Sequence, residues 1–253
     1  MKNVLLQGLQ VSKVFVQDNV KNKVLDKVDV DIYEQDFTVI MGSSGAGKST
    51  LLYALSGMDR ITEGEIVYRG KEISRLNERQ MAALRAREFG FVFQQTLLVS
   101  NLTLLENVTV AGYVSQKDSA EGSGRKARQL LLQMGVEKAE NRLPSQVSGG
   151  EAQRAAIARA MIGAPGLLFA DEPTGALNKS HTIEVLDLLT ELNSSGQSIL
   201  MVTHDLRAAI RGNRILYLED GKLISELTLP PFRDGEAWQR ERQVNGWLSK
   251  MQW

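Results

Sequence analysis

The run Gly42-Ser43-Ser44-Gly45-Ala46-Gly47-Lys48-Ser49 fits the pattern G-x-x-x-x-G-K-[ST]. Glycines at these places let backbone N–H groups approach and surround phosphate oxygens, and a following helix turns its positive end toward them. Lys48 supplies a cation for β- and γ-phosphates, and Ser49 a hydroxyl for Mg²⁺. A second pair of groups, Asp171 and Glu172, follows the apolar run Leu167-Leu168-Phe169-Ala170. At the carboxyl end of a buried strand, where α/β sheets place ligands, the two carboxylates suit different tasks. Asp171 suits Mg²⁺, usually through water, and Glu172 suits activation of a water for attack on a γ-phosphate. Taken alone, the pair would read as solvated strand-end acids; beside a phosphate loop the chemical reading prevails. His204 follows another apolar run with Asp205 behind it, and a lone histidine there is more often a satisfied surface or core residue.

These groups need elements to hold them. Phe37-Thr38-Val39-Ile40-Met41 precedes the phosphate loop and Thr50-Leu51-Leu52-Tyr53-Ala54-Leu55 follows it with a helical pattern, which argues against an ordinary glycine-rich turn. Gly90-Phe91-Val92-Phe93, Leu167 to Ala170 and Ile199-Leu200-Met201-Val202 read as further strands, with helices between several of them. That alternation predicts an α/β fold with buried, largely parallel central strands. Asp26 to Tyr33 and Glu65 to Tyr68 alternate apolar with polar instead, as half-exposed antiparallel strands do. Strand signals fade between about Thr96 and Val147, where Arg125 to Met134 reads as helix and Glu121-Gly122-Ser123-Gly124 as a loop.

A chain of 253 residues with 43% hydrophobic composition can bury a substantial core. Lys plus Arg and Asp plus Glu each number 30, so no global basic field gathers nucleic acid or anionic lipid, and no nucleic-acid partner is expected. The absence of cysteine excludes disulfides and thiolate chemistry and suits a reducing compartment. The first residues show no signal-peptide pattern and no apolar run is long enough to span a bilayer, so membrane work is expected to need a separate protein.

At Val147-Ser148-Gly149-Gly150-Glu151-Ala152-Gln153-Arg154 a Ser-Gly-Gly turn opens a helix that continues to Met161. This resembles the signature motif of the ATP-binding cassette (ABC) ATPases, and with the phosphate loop before it and the acidic strand end after it the resemblance covers nearly the whole chain. The resemblance implies a P-loop NTPase core of RecA type with an antiparallel β subdomain (1–95 and 148–225), an inserted α-helical subdomain (96–147) and a C-terminal extension (226–253). It implies ATP and Mg²⁺ as cofactors. ATP would be held by Gly42, Ser43, Ser44, Gly45, Ala46, Gly47, Lys48, Ser49 and Thr50, with Phe15 stacking on the adenine. For Phe15 a strand residue facing the core is the alternative. In such proteins two copies sandwich ATP head to tail, so Ser148, Gly149, Gly150 and Glu151 would close on the nucleotide of a second copy. Glu151 stands where many relatives carry Gln. Gln94 would sense Mg²⁺ and the attacking water, making Ser49, Gln94 and Asp171 the metal set; His204 would contact the γ-phosphate.

One departure falls at Gly175-Ala176-Leu177-Asn178, where the loop usually ends in Asp; Asn keeps an acceptor oxygen and loses the charge. His181, in the polar run Lys179-Ser180-His181-Thr182, reads as solvated surface, and the tail with Trp238, Trp247 and Trp253 as a helix packed on its own core. The runs Gly90 to Gln94, Leu102-Thr103-Leu104-Leu105-Glu106-Asn107-Val108 and Phe169 to Leu177 are similar to the branch of macrolide-export, lipoprotein-release, antimicrobial-peptide-export and cell-division ATPases. The expected function is therefore the ATPase motor of an exporter or extrusion system, peripheral on the cytoplasmic face of the membrane through an integral-membrane permease. A regulator of a cell-wall or division complex is the second reading. A soluble DNA-repair or translation cassette is a third, weakened by the lack of a second cassette, a long heptad insertion or a basic stripe.

Overall fold

The computed structural model describes residues 2–17, 20–115 and 120–251. In chain order the elements are β1 (Val4–Gln17), β2 (Val20–Tyr33), β3 (Phe37–Met41), α1 (Lys48–Leu55), β4 (Glu63–Tyr68), β5 (Lys71–Glu72), α2 (Glu78–Glu88), β6 (Phe89–Phe93), α3 (Leu104–Ser115), α4 (Ala120–Gln133), α5 (Gly149–Met161), β7 (Leu167–Asp171), α6 (Lys179–Ser194), β8 (Ser198–Val202), α7 (Leu206–Ala209), β9 (Arg214–Glu219), β10 (Lys222–Thr228) and α8 (Ala237–Leu248). The chain divides into two units, residues 1–81 with 193–253, and residues 82–192.

In the first unit β3 pairs in parallel with β8, Val39 opposite Met201, and with β9, Val39 opposite Ile215. β3 and β8 are buried at every position, which is why they read as unbroken apolar runs. β10 closes this side antiparallel to β9. A separate antiparallel sheet has the order β2-β1-β4-β5, and the buried positions of β2 alternate toward its end as the sequence pattern requires. The tail helix α8 buries Val244 and Leu248. Trp247 donates from Nε1 to Ser225 Oγ at 3.0 Å and meets the Tyr217 ring edge-on. Its buried Arg240 donates to the carbonyls of Ile210 and Pro230, both at 2.7 Å, and to that of Gly212. Trp238 stays 65% exposed, and Trp253 lies outside the described residues.

In the second unit β6 and β7 are parallel, with Phe89, Phe91 and Phe169 in ring contact across them. Helices α3, α4 and α5 pack on one another, and α5 packs on β6. Among the described residues between 96 and 147 there is no strand. The expected loop at Glu121-Gly122-Ser123-Gly124 is instead the first part of α4. Small residues serve helix contact here: Ser123 is fully buried, and a Cβ at Gly112 of α3 would lie 3.0 Å from the Ser123 Cβ. Close packing outweighs the poor helix propensity of Gly and Ser. The run Leu102 to Val108 proves to be a helix entry. Thr103 N donates to Glu106 Oε2 at 2.7 Å and Glu106 N to Thr103 Oγ1 at 3.2 Å, a capping box for α3. Buried Asn107 holds the loop before it, accepting from Val99 N at 2.7 Å and donating to Leu102 O at 3.0 Å.

Candidate active site

The phosphate loop leaves the buried strand β3 through Gly42, whose φ is +152° and whose Cβ, were there one, would lie 2.1 Å from the Leu218 carbonyl oxygen. No side chain fits there. Ala46 N donates to Ser43 O at 3.2 Å, and Gly221 N to Ala46 O at 3.2 Å, which holds the loop from outside. Gly47, with φ +99°, is the N-cap of α1, and the Val24 carbonyl lies 2.9 Å from where its Cβ would be. The N-cap carries no capping side chain, so the loop opens onto the amides of the first turn of α1, the arrangement that favours an anion. Lys48 is only 9% exposed, and its Nζ donates to Gly42 O and Ser43 O, both at 2.9 Å. Lys48 therefore braces the loop it serves. Ser49 and Thr50 follow, half-buried.

His204 reaches the same sheet edge as this loop because β3 and β8 run parallel: Ile40 pairs with Val202, and Thr203 N donates to Ile40 O at 3.2 Å. It is exposed. Behind it Asp205 caps α7, its Oδ1 accepting from Arg207 N at 2.8 Å. Phe15 is 43% exposed, which removes the core-facing alternative. Lys13 Nζ sits 4.7 Å from the centre of its ring while bonding to Asp59 and the Arg60 carbonyl.

In the second unit the register of β6 and β7 sets Phe93 opposite Asp171, so Gln94 and Glu172 leave adjacent strands at one carboxyl edge. Glu172 has φ +47°, a strained value for a non-glycine residue, held by a turn in which Gly175 N donates to Glu172 O at 3.0 Å. The Gln94 side chain lies against that turn: a Cβ at Gly175 would be 2.9 Å from Gln94 Nε2. Two residues of α5 with no role assigned from sequence hold the segment around Gln94. Buried Gln153 donates from Nε2 to Phe93 O at 2.9 Å, and Arg159 donates to the carbonyls of Thr96, at 2.8 Å, and Leu97. For Gln153 the only sequence signal was a polar side chain on the buried, alanine-rich face of α5.

Ser148 is the N-cap of α5 in a second capping box: Glu151 N donates to Ser148 Oγ at 3.2 Å, and Ser148 N to Glu151 Oε2 at 2.8 Å. Hydrogen bonds from the Ser148 amide and hydroxyl, with smaller help from Arg154 and Arg142, hold the Glu151 carboxyl below its usual range. Glu at this position thus makes the cap. Asn178 caps α6, its Oδ1 accepting from His181 N at 3.0 Å and Ser180 Oγ at 2.9 Å, so the oxygen retained in place of the usual Asp is in use. His181 is not free surface: it is half-buried against Gly150.

The first unit therefore gathers Gly42 to Thr50 and His204 at one sheet edge, with Phe15 on β1. The second gathers Gln94, Asp171 and Glu172 at the carboxyl ends of β6 and β7 and presents Ser148 to Glu151 at the start of α5. Among the described residues no cluster of three or more His, Cys, Asp or Glu forms a metal site from side chains alone.

The family model for ABC transporters matches residues 25–175, and the chain belongs to that family. It is similar to the ATP-binding cassette MJ0796 in a dimeric post-hydrolysis state bound to ADP and phosphate, with 35% identity and TM-score 0.83 over 90% of this chain and 100% of that one. A dimeric structure of MJ0796 described as a bacterial ABC transporter cassette gives 36% identity and the same score and coverage.

Proposed function

We propose that the chain is the ATP-binding and ATP-hydrolysing subunit of a membrane ABC transporter, in an exporter or extrusion system for peptides, lipoproteins or antibiotics. The observation that carries the reading is the buried Lys48 within a glycine loop at the start of α1, in a chain that also bears one capped signature turn. In this reading the loop amides and Lys48 hold the β- and γ-phosphates, and Phe15 takes the adenine. Glu172 accepts a proton from the attacking water as the bond between the γ-phosphorus and the bridging oxygen breaks, giving ADP and phosphate. His204 steadies the γ-phosphate. Ser49, Gln94 and Asp171 offer a hydroxyl, an amide oxygen and a carboxylate, the hard oxygen donors that suit Mg²⁺ alongside phosphates and water. Bound there, the ion would neutralise charge on the β- and γ-phosphates. Ser148, Gly149, Gly150 and Glu151 of a second copy complete the site, as the dimeric relative supports.

No helix among the described residues is long and apolar enough to cross a membrane. The second unit exposes Val110, Tyr113 and Val114 on α3, spaced to share one helix face, and Leu97 and Val99 in the loop after Gln94. This apolar face supports a permease partner, and bound to one the chain would sit peripherally on the cytoplasmic face of the membrane.

The test of the nucleotide reading is light scattering and phosphate release. Glu172→Gln with ATP should form a dimer, and adding Ser148→Arg should prevent it; on the Glu172 background Ser148→Arg should lose turnover. An ATP-bound monomer hydrolysing at a rate independent of concentration would contradict the reading.

A further inference from the structure

Gly150 is the tightly packed glycine of the signature turn. A Cβ there would lie 2.6 Å from Cγ, 2.8 Å from Cδ2 and 3.0 Å from Cβ of His181, whereas a Cβ at Gly149 would meet only Leu177, at an ordinary 3.5 Å. The His181 atoms involved are the root of the ring, which cannot swing aside as the tip of a flexible chain can. His181 is itself held: its amide donates to Asn178 Oδ1, and Thr182 N donates to Asn178 O at 2.9 Å. Further along the same two helices, Glu184 of α6 pairs with Arg154 of α5. The segment that carries His181 begins at Glu172, whose turn closes on Gly175 and lies against Gln94.

We propose that His181 is a positioning residue for the signature motif. Its imidazole is the wall against which the Gly149-Gly150 turn is set, so it fixes where Ser148, Gly149 and Gly150 present their groups to the nucleotide held by a second copy. The inference rests on the shared-site reading above. Glycine at 150 is then required for contact within one chain as well as for approach to a ligand. Because the segment from Glu172 to His181 is short and tied down by the Glu172 turn and the Asn178 cap, the position of the catalytic carboxylate and that of the signature turn in the same chain are set together. These two groups serve opposite nucleotides.

The experiment is a double-mutant cycle on the Glu172→Gln background, reading the dissociation constant of the ATP-induced dimer by sedimentation. Binding of a fluorescent ATP analogue to the monomer and thermal unfolding serve as controls for the phosphate loop and the fold. His181→Ala should weaken the dimer about tenfold, as expected of residues in direct contact, without moving nucleotide binding by the monomer. Gly150→Ala should weaken it further, and Gly150→Ala/His181→Ala should be tighter than Gly150→Ala, because removing the ring makes room for the methyl group. His181→Phe, which keeps a flat ring at the same place, should stay within about threefold of the parent. A dimer unchanged by His181→Ala, or single effects that simply multiply with no rescue, would overturn the assignment. Should Glu172→Gln itself fail to dimerise with ATP, the shared-site reading fails; should it dimerise while the cycle shows no coupling, only the role of His181 does.

Discussion

Lys48 donates to two carbonyls of its own loop, so its removal takes away both a cation for the phosphates and an internal brace. Lys48→Ala should weaken nucleotide binding about ten- to a hundredfold, the scale of charged hydrogen bonds, in a fluorescent-nucleotide titration. Glu172→Gln should bind ATP normally and lower kcat about 10²- to 10⁴-fold in a phosphate-release assay, the scale of a general base. Asn178 makes a separable claim: Asn178→Ala should cost about 1 kcal/mol as a lost helix cap, and Asn178→Asp should cost almost nothing, both measured by denaturant unfolding. Residues whose chemistry depends on near neighbours were legible in the sequence: the phosphate loop, Asp171, Glu172 and the signature turn each announce themselves within a few positions. Gln153, Arg159 and His181 were not, because their partners Phe93, Thr96 and Gly150 lie far along the chain and only the folded helices bring them near.

At the level of elements, the buried strands were readable because burial on both faces leaves an unbroken apolar run, and β3 and β8 have that property throughout. The start of α4 was not readable, since Gly122, Ser123 and Gly124 mimic a loop in sequence, and only the folded helices bring Ser123 against Gly112 of α3. Two helices of the second unit, α3 and α5, begin with capping boxes whose glutamates carry a pH signature. Bonds from the Thr103 amide and hydroxyl hold Glu106, and bonds from Ser148 hold Glu151, below the ordinary value of 4.5. A carboxylate whose pKa is depressed by folding contributes stability that is present above its unfolded value and is lost as pH falls through the folded one. Glu106→Gln/Glu151→Gln should therefore lower Tm near neutral pH, and the gap from the parent should close as the pH drops below 4.5. A gap independent of pH would assign the loss to packing instead.

For the whole molecule, no helix among the described residues is long and apolar enough to cross a membrane, and the proposed permease contact is tested on the exposed apolar residues of the second unit. Photo-crosslinkers at Leu97, Val99 and Val110 in native membranes should capture an integral-membrane protein, whereas one at the exposed Trp238 should not; the reverse pattern would move the permease face to the tail helix. The central claim, one ATP site built from two copies, is tested most directly by mixing two inactive chains. Lys48→Ala keeps the signature turn and loses the phosphate loop, and Ser148→Arg does the opposite. Each alone should hydrolyse almost no ATP, while an equal mixture should regain turnover, since a mixed dimer holds one intact site and carries both substitutions at the other. A mixture as inactive as its parts, or a Ser148→Arg chain that turns over ATP unaided, would contradict the account.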